Sequence, residues 1–168
     1  MNISIRADTV PVDQYLSLLS RRMTDLTPAM SKIGEIIVAS VRRNFREGRG
    51  PDLVPWKPIK REGRGDRPVA PTLVYTGRLR DSINYQAYGN KVEVGTDLGY
   101  AAVHQSGGRT TAHIIRPRRQ KALYWPGAAH PVRFVRHPGS SIPARPFLGV
   151  RDEDWNDIRS ALISYITG

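Results

Sequence analysis

The sequence predicts an α+β domain: N-terminal helices packed on a small, mostly antiparallel β-sheet, with a projecting basic β-excursion and a C-terminal helix. Three observations predict it. Apolar residues recur every three or four positions near both ends of the chain, the spacing of one helix face. In the middle, Ile83–Tyr88 and Lys91–Gly95 alternate polar and apolar residues around Gly89-Asn90, the strongest short-range hairpin pattern. The segment Arg109–Pro146 then mixes short alternating runs with arginines and holds no acidic residue.

Taken in order, Met1–Ala7 alternates Ile3 and Ile5 with polar residues and reads as a short strand. Asp8 or Thr9 can cap a first helix from about Val12 to Asp25, with Pro11 suited to its first turn and Tyr15, Leu16, Leu19 and Met23 on one stripe. Thr27-Pro28 opens a second helix running to about Arg46, whose Met30, Ile33, Ile37, Val41 and Phe45 form a core-facing stripe. Gly34 within it is expected to allow close approach of another helix. Residues 48–70 form a first irregular arm, too long for an ordinary connection. Trp56 is placed to anchor that arm, and Lys60–Arg67 reads as a mobile basic stretch.

From Pro71 an extended segment leads to Tyr75, followed by a helical turn over Thr76–Ser82, the hairpin, and a short helix over Tyr100–Gln105 stopped by Ser106-Gly107-Gly108. A second irregular arm covers 109–146. In it His113–Arg116 and Ala122–Trp125 read as paired strands around Pro117–Gln120, with Val132–Arg136 as a third. Trp155, Ile158, Leu162 and Ile166 mark one face of a closing helix, and Asp152, Glu153 and Asp154 sit where its dipole favours negative charge. A chain of 168 residues is expected to form a single domain over 1–168.

Composition narrows the function. The net charge is +11, from 26 basic and 15 acidic residues, and arginine dominates the basic set, which points to an acidic partner such as nucleic acid or an acidic protein face. With no cysteine there is neither a disulfide framework nor a thiolate site. No apolar run approaches the roughly 18 residues of a membrane span, and MNISIRADTV has no apolar signal-peptide stretch, so no membrane partner is expected. Metalloprotease, phosphate-loop and dinucleotide motifs are missing. His104 could serve as a base, His113, His130 and His137 as metal ligands, and Asp152, Glu153, Asp154 and Asp157 as a cation site. Hydrogen bonding under the Gly107-Gly108 loop and helix capping explain these residues more simply, so no catalytic residue, metal or cofactor is expected. The basic residues favoured for subunit or DNA-channel contact are Arg61 and Arg64 on the first arm, and Arg116, Arg118, Arg119, Lys121, Arg133 and Arg136 on the second. Tyr124 and Trp125 are not spaced like platforms for stacking bases.

Four stretches occur in one order: PWKP at Pro55–Pro58, LVYTGRLRDSI at Leu73–Ile83, VGTDLGYAAVHQSGG at Val94–Gly108, and IPARPFLG at Ile142–Gly149. Together they resemble the Mu-like phage virion morphogenesis proteins, tail-completion or neck proteins of tailed bacteriophages, over nearly the whole chain. The long basic excursion departs from the shared pattern. The resemblance implies a structural virion protein at the head–tail junction: a homo-oligomeric ring, expected to be a hexamer, touching other neck, connector and tail-tube proteins and surrounding the path of double-stranded DNA. It also implies architectural roles for Trp56. Thr76, Gly77 and Leu79 would shape the entry to the hairpin. Tyr100, His104, Gln105, Gly107 and Gly108 would set the short helix and its loop. Arg145, Pro146 and Phe147 would anchor the last helix, whose acids would complement the basic excursion of a neighbour. A tail terminator capping the tube, a non-catalytic nucleic-acid-binding protein, and an enzyme such as a nuclease or peptidase stand as the alternatives.

Overall fold

One long amphipathic helix near the start of the chain supplies the largest share of the buried side chains. The computed structural model describes residues 10–59, 71–125, 127 and 129–168. The expected strand at Met1–Ala7 and the basic stretch Lys60–Arg67 lie outside the described residues. The chain is organised as two compact units: Met1–Leu98 with Pro146–Gly168, and Gly99–Arg145 inserted between them.

In the first unit, α1 (Val10–Thr24) has Pro11 in its first turn and Arg21 and Arg22 in its last. The Asp25 carboxylate accepts the Thr27 N–H at 2.9 Å and so caps α2 (Thr27–Glu47), where Pro28 needs no hydrogen bond. Gly48, at φ 65° and ψ 32°, ends α2 in the left-handed cap. Helix α2 supplies the spine of the core: Ala29, Ile33, Val38, Val41 and Phe45 are buried along it. Helix α1 contributes no fully buried residue: on its stripe Tyr15, Leu16 and Met23 are exposed and Leu19 is half-buried. Its end is instead tied to the last helix, α5 (Asp152–Thr167): Arg22 Nη1 donates to the Ile166 carbonyl and the Tyr165 hydroxyl to the Asp25 carbonyl.

The hairpin forms as the alternation predicts, β1 (Asn84–Tyr88) against β2 (Lys91–Gly95), with Tyr85 opposite Val94 and Ala87 opposite Val92. These four share one half-buried face, and the hairpin packs on α2. The close approach allowed by Gly34 is therefore to a strand, not to a second helix. A Cβ on Gly34 would lie within 2.5 Å of Tyr85 Cγ. Before the hairpin, Pro71–Val74 is a turn closed by Val74 N–H to the Pro71 carbonyl at 3.0 Å, not the extended lead-in expected. A single helical turn follows, α3 (Arg78–Asp81).

Helix α5 is fixed to α2 by buried polar contacts. Asn44 Nδ2 donates to the Phe147 carbonyl at 2.9 Å, and Asn44 Oδ1 accepts from Arg151 Nη2 and Nε at 2.6 and 3.0 Å. Asp154 Oδ2 accepts the Ser40 hydroxyl at 2.6 Å and the Arg151 N–H at 2.8 Å. The expected capping by the acidic cluster is thus carried by Asp154, which reaches back to the residue before the helix. Beside this network, Phe45 packs against Trp56 and Phe147 with ring centroids 5.5 and 5.3 Å away.

In the second unit, α4 (Ala101–Ser106) leads into four short strands. β3 (Gly108–Arg109) pairs with β6 (Ser141–Ile142), and β4 (His113–Ile115) with β5 (Val135–His137), all antiparallel. The observed pairing differs from the one expected. His113–Ile115 pairs with the third run, while Leu123 meets only Val132, through one bridge. Gly108 opposite Ile142 and His113 opposite His137 follow the same register, so these strands are two stretches of one long ribbon. Among the described residues the β-structure is accordingly three two-stranded antiparallel pairs, not one small sheet.

Two substitutions test this packing. Gly34→Ala gains up to about 1 kcal/mol of helix propensity, but it overpacks against Tyr85 at a cost of about 1–3 kcal/mol. Urea unfolding should therefore show a net loss, and a neutral or stabilised variant would contradict the observed contact. Asn44→Ala strands Arg151 and the Phe147 carbonyl, so a loss of about 2–4 kcal/mol is expected. A loss below about 1 kcal/mol, the yield of an ordinary exposed hydrogen bond, shows that the network does not hold α5.

Candidate interaction surfaces

Basic side chains fall into two populations. In the first unit several are ion-paired: Arg43 with Glu153, Arg49 with Glu47, Arg80 with Asp81, and Arg151 with both Glu47 and Glu153. The second unit supplies no carboxylate of its own, because residues 99–145 contain eight Arg or Lys and no acid. That unit therefore carries +8 of the +11 net charge.

Six of the eight expected contact residues lie on this ribbon. Arg136 stands in β5, opposite Ile114. Arg116 follows β4, Arg118, Arg119 and Lys121 occupy the bend beyond it, and Arg133 adjoins the Leu123–Val132 bridge. All six are exposed, and none forms an ion pair among the described residues. Arg61 and Arg64 fall outside the described residues. Exposed apolar groups on the same ribbon, Ile114, Ile115, Tyr124, Trp125 and Phe134, were not singled out by sequence as contact residues. Their mixture with arginine in short alternating runs was the available signal.

At the middle of the ribbon, the His113 and His137 rings stack at 5.1 Å between centroids. His113 Nδ1 donates to the Thr111 carbonyl, and His137 Nδ1 accepts the Gly139 N–H. Gly139 has φ 90°, and a Cβ there would collide with the Thr110 carbonyl, so this crossing requires glycine. Among the described residues no group of three metal-ligating side chains assembles, and no helix is long and apolar enough to cross a membrane.

The residues placed in architectural roles distribute over both units. Trp56 is buried, its indole N–H donating to the Pro146 carbonyl at 2.8 Å and its backbone N–H to the Gly48 carbonyl. Phe147 is fully buried beside it. Thr76 Oγ1 accepts the Arg78 N–H, Gly77 has φ 72°, and Leu79 is buried, so the three sit at the turn that opens α3. In the second unit, Tyr100 lies edge-on to His104, Gln105 is half-buried, and Gly107 and Gly108 lead from α4 into β3. The buried Arg145 donates its N–H to the His104 carbonyl at 2.7 Å. The sequence reading missed Ser40, Asn44 and Arg151 as buried polar residues and read Asp154 only as an exposed cap.

This arrangement defines a scaffold with an arginine-bearing ribbon, the kind of chain that makes contacts in a larger assembly. The chain belongs to the phage virion morphogenesis family, whose profile matches residues 7–167. Membership gives it a structural role in building the phage particle. It is 30% identical over 155 residues to the Mu-like prophage FluMu G protein 2 of Haemophilus influenzae, an alignment covering 92% of this chain and 88% of that one. No solved structure matches the chain.

His104 provides a pH readout of the second unit. Its Nδ1 is buried without a hydrogen-bond partner, and burial, then the nearby Arg145 charge, hold its pKa below the ordinary 6.5. The folded state thus binds this proton less readily than the unfolded chain. Its contribution is complete above pH 6.5 and is lost as the pH falls toward the lower folded value. Thermal midpoints between pH 7.5 and 5 should fall, and His104→Gln should flatten that fall. An equal slope in both proteins would exclude His104 as its source.

Proposed function

We propose that the protein completes the phage tail and joins it to the head, as one subunit of a ring, expected to be a hexamer, around the path of the DNA. The single observation that carries this reading is the acid-free ribbon, whose exposed arginines form no ion pair among the described residues, in a chain of a virion-building family. Arginine in this setting serves contact: its planar fork suits carboxylates of adjoining subunits and phosphates of passing DNA. Phosphate contact of this kind is independent of sequence, as a conduit for a whole genome needs. The contacting proteins are the neighbouring neck, connector and tail-tube subunits. A subunit that repeats one heterologous contact closes into a ring when its rotation permits.

The decisive experiment is electron microscopy of particles whose copy of this protein lacks residues 113–137. Filled heads and separate tails should accumulate, and cryo-EM of wild-type necks should show the protein as a ring. Normal joining without the ribbon would sink this function, and tails of irregular length would place the ring as a terminator of the tube.

A further inference from the structure

The first unit holds a basic pocket of its own. Arg42 and Arg46 stand four residues apart on α2, so they are neighbours on one side of the helix, and both are exposed. Arg80 joins them from α3, and these three arginines line a cavity of about 350 Å³ together with Ala39. Alanine at that fourth position adds no bulk to fill the space between the guanidinium groups.

Arg80 is held in place. Its Nε and Nη2 donate to the two carboxylate oxygens of Asp81 at 2.7 and 3.0 Å, which fixes the fork. Gly77 makes room for that pair: its φ is 72°, and a Cβ there would lie 2.9 Å from Asp81 Oδ2 and 3.2 Å from Arg80 Nη2. The Asp81 carboxyl is held below its usual range, first by the hydrogen bonds from Arg80 and more weakly by the charges of Arg80 and Arg42. Arg42 therefore acts on the same carboxylate without pairing with it.

One carboxylate against three guanidinium groups leaves two positive charges unanswered at the pocket. The other acids of α2 are committed elsewhere, Glu35 to Lys32 and Glu47 to Arg49 and Arg151. Arg42 and Arg46 form no ion pair among the described residues. Like charges at this spacing weaken a helix, and a bound anion would relieve them. The surroundings select the anion. No large apolar side chain of α2 or α3 is exposed, whereas protein interfaces are built on a buried apolar centre. A phosphate backbone asks for cations alone. Its oxygens also point in tetrahedral directions and can answer several forks, while the two oxygens of a carboxylate are matched by one, as those of Asp81 are by Arg80.

From this arrangement we infer that Arg42, Arg46 and Arg80 form a phosphate-binding site in the first unit, separate from the ribbon, that holds the backbone of double-stranded DNA without reading its sequence. In naming DNA as the source of the phosphate, the inference deepens the proposed function and rests on it.

The test is binding of the full chain to a short DNA duplex, followed by fluorescence anisotropy between about 50 and 200 mM salt. Arg42→Gln with Arg46→Gln should weaken binding and reduce the slope of log affinity against log salt by about 1.8, at about 0.9 for each phosphate contact removed. A control pair, Arg21→Gln with Arg159→Gln, removes the same charge from α1 and α5 and should leave the slope unchanged. All four positions are exposed, so circular dichroism and melting should stay close to wild type. Equal slopes in wild type and the Arg42 and Arg46 variant overturn the inference. An equal fall in the control pair does so too, because overall charge then governs binding. If that variant keeps duplex binding but no longer binds inorganic phosphate in calorimetry, the pocket serves free phosphate and the DNA assignment fails. If it keeps duplex binding but loses self-association in sedimentation velocity, the pocket takes a carboxylate of a second copy, and the inference fails again. A ring in wild-type necks with an unchanged slope removes this site and leaves the proposed function standing. The expected fall in slope with no ring in those necks removes that function and leaves the site.

Discussion

The buried guanidinium of Arg151 is the constraint around which the first unit is arranged. An ionised group that is 4% exposed must have its hydrogen bonds answered, and isolated burial would be prohibitive. Its Nε and Nη2 meet Asn44, Nη2 also meets Glu47, and Nη1 meets Glu153. Asn44 has its own requirement and satisfies it with the Phe147 carbonyl. Asn44 and Glu47 lie more than 100 residues before Arg151, so together they fix the placement of α5 along α2. Apolar packing of Phe45, Trp56 and Phe147 supplies the attraction, while the polar network selects the register.

That selection has a topological consequence. The chain leaves the first unit after Leu98 and returns at Pro146, immediately before Phe147 and Arg151. The returning segment is held at successive points: the Pro146 carbonyl by Trp56, the Phe147 carbonyl by Asn44, and the Arg151 N–H by Asp154. Both ends of the insertion are thus joined to the first unit at fixed points of the chain. Residues 99–145 were free to become acid-free and rich in arginine without undermining the core.

What the sequence revealed follows from where the determining forces act. Helix α2 and the β1–β2 hairpin were legible because their signals are local: a 3.6-residue apolar period capped by Gly48, and alternation around Gly89-Asn90. The ribbon was misread because its strands are two or three residues long, and alternation over so short a run does not name a partner. The nearest run, Ala122–Trp125, was chosen for His113–Ile115, whereas the actual partner is fixed by the register begun at Gly108 and Ile142. Buried polar residues are the hardest case, since Ser40 and Asn44 look like ordinary surface residues. Their spacing held a clue: they continue the helical rows of Ile33, Ile37 and Val41. On the contact surface, the arginines were visible as a composition, but the exposure of Ile114 and of Trp155 depends on what the fold leaves uncovered.

The unequal division of charge bears on assembly as well as on folding. With +8 in residues 99–145, the rest of the chain carries only +3, and many of its cations are already paired. In the proposed ring, copies gathered about one axis would bring the charged insertions together, and repulsion among them would be strong wherever they approached within the roughly 8–10 Å over which salt fails to screen. Such an arrangement persists only if each insertion meets counter-charge in place. In the proposed ring, carboxylates of the adjoining copy and phosphates in the bore would be the two supplies, while the exposed isoleucines would gain only from apolar surface on a protein neighbour. A ribbon carrying both kinds of group suits, in that reading, a protein joint near the path of the DNA.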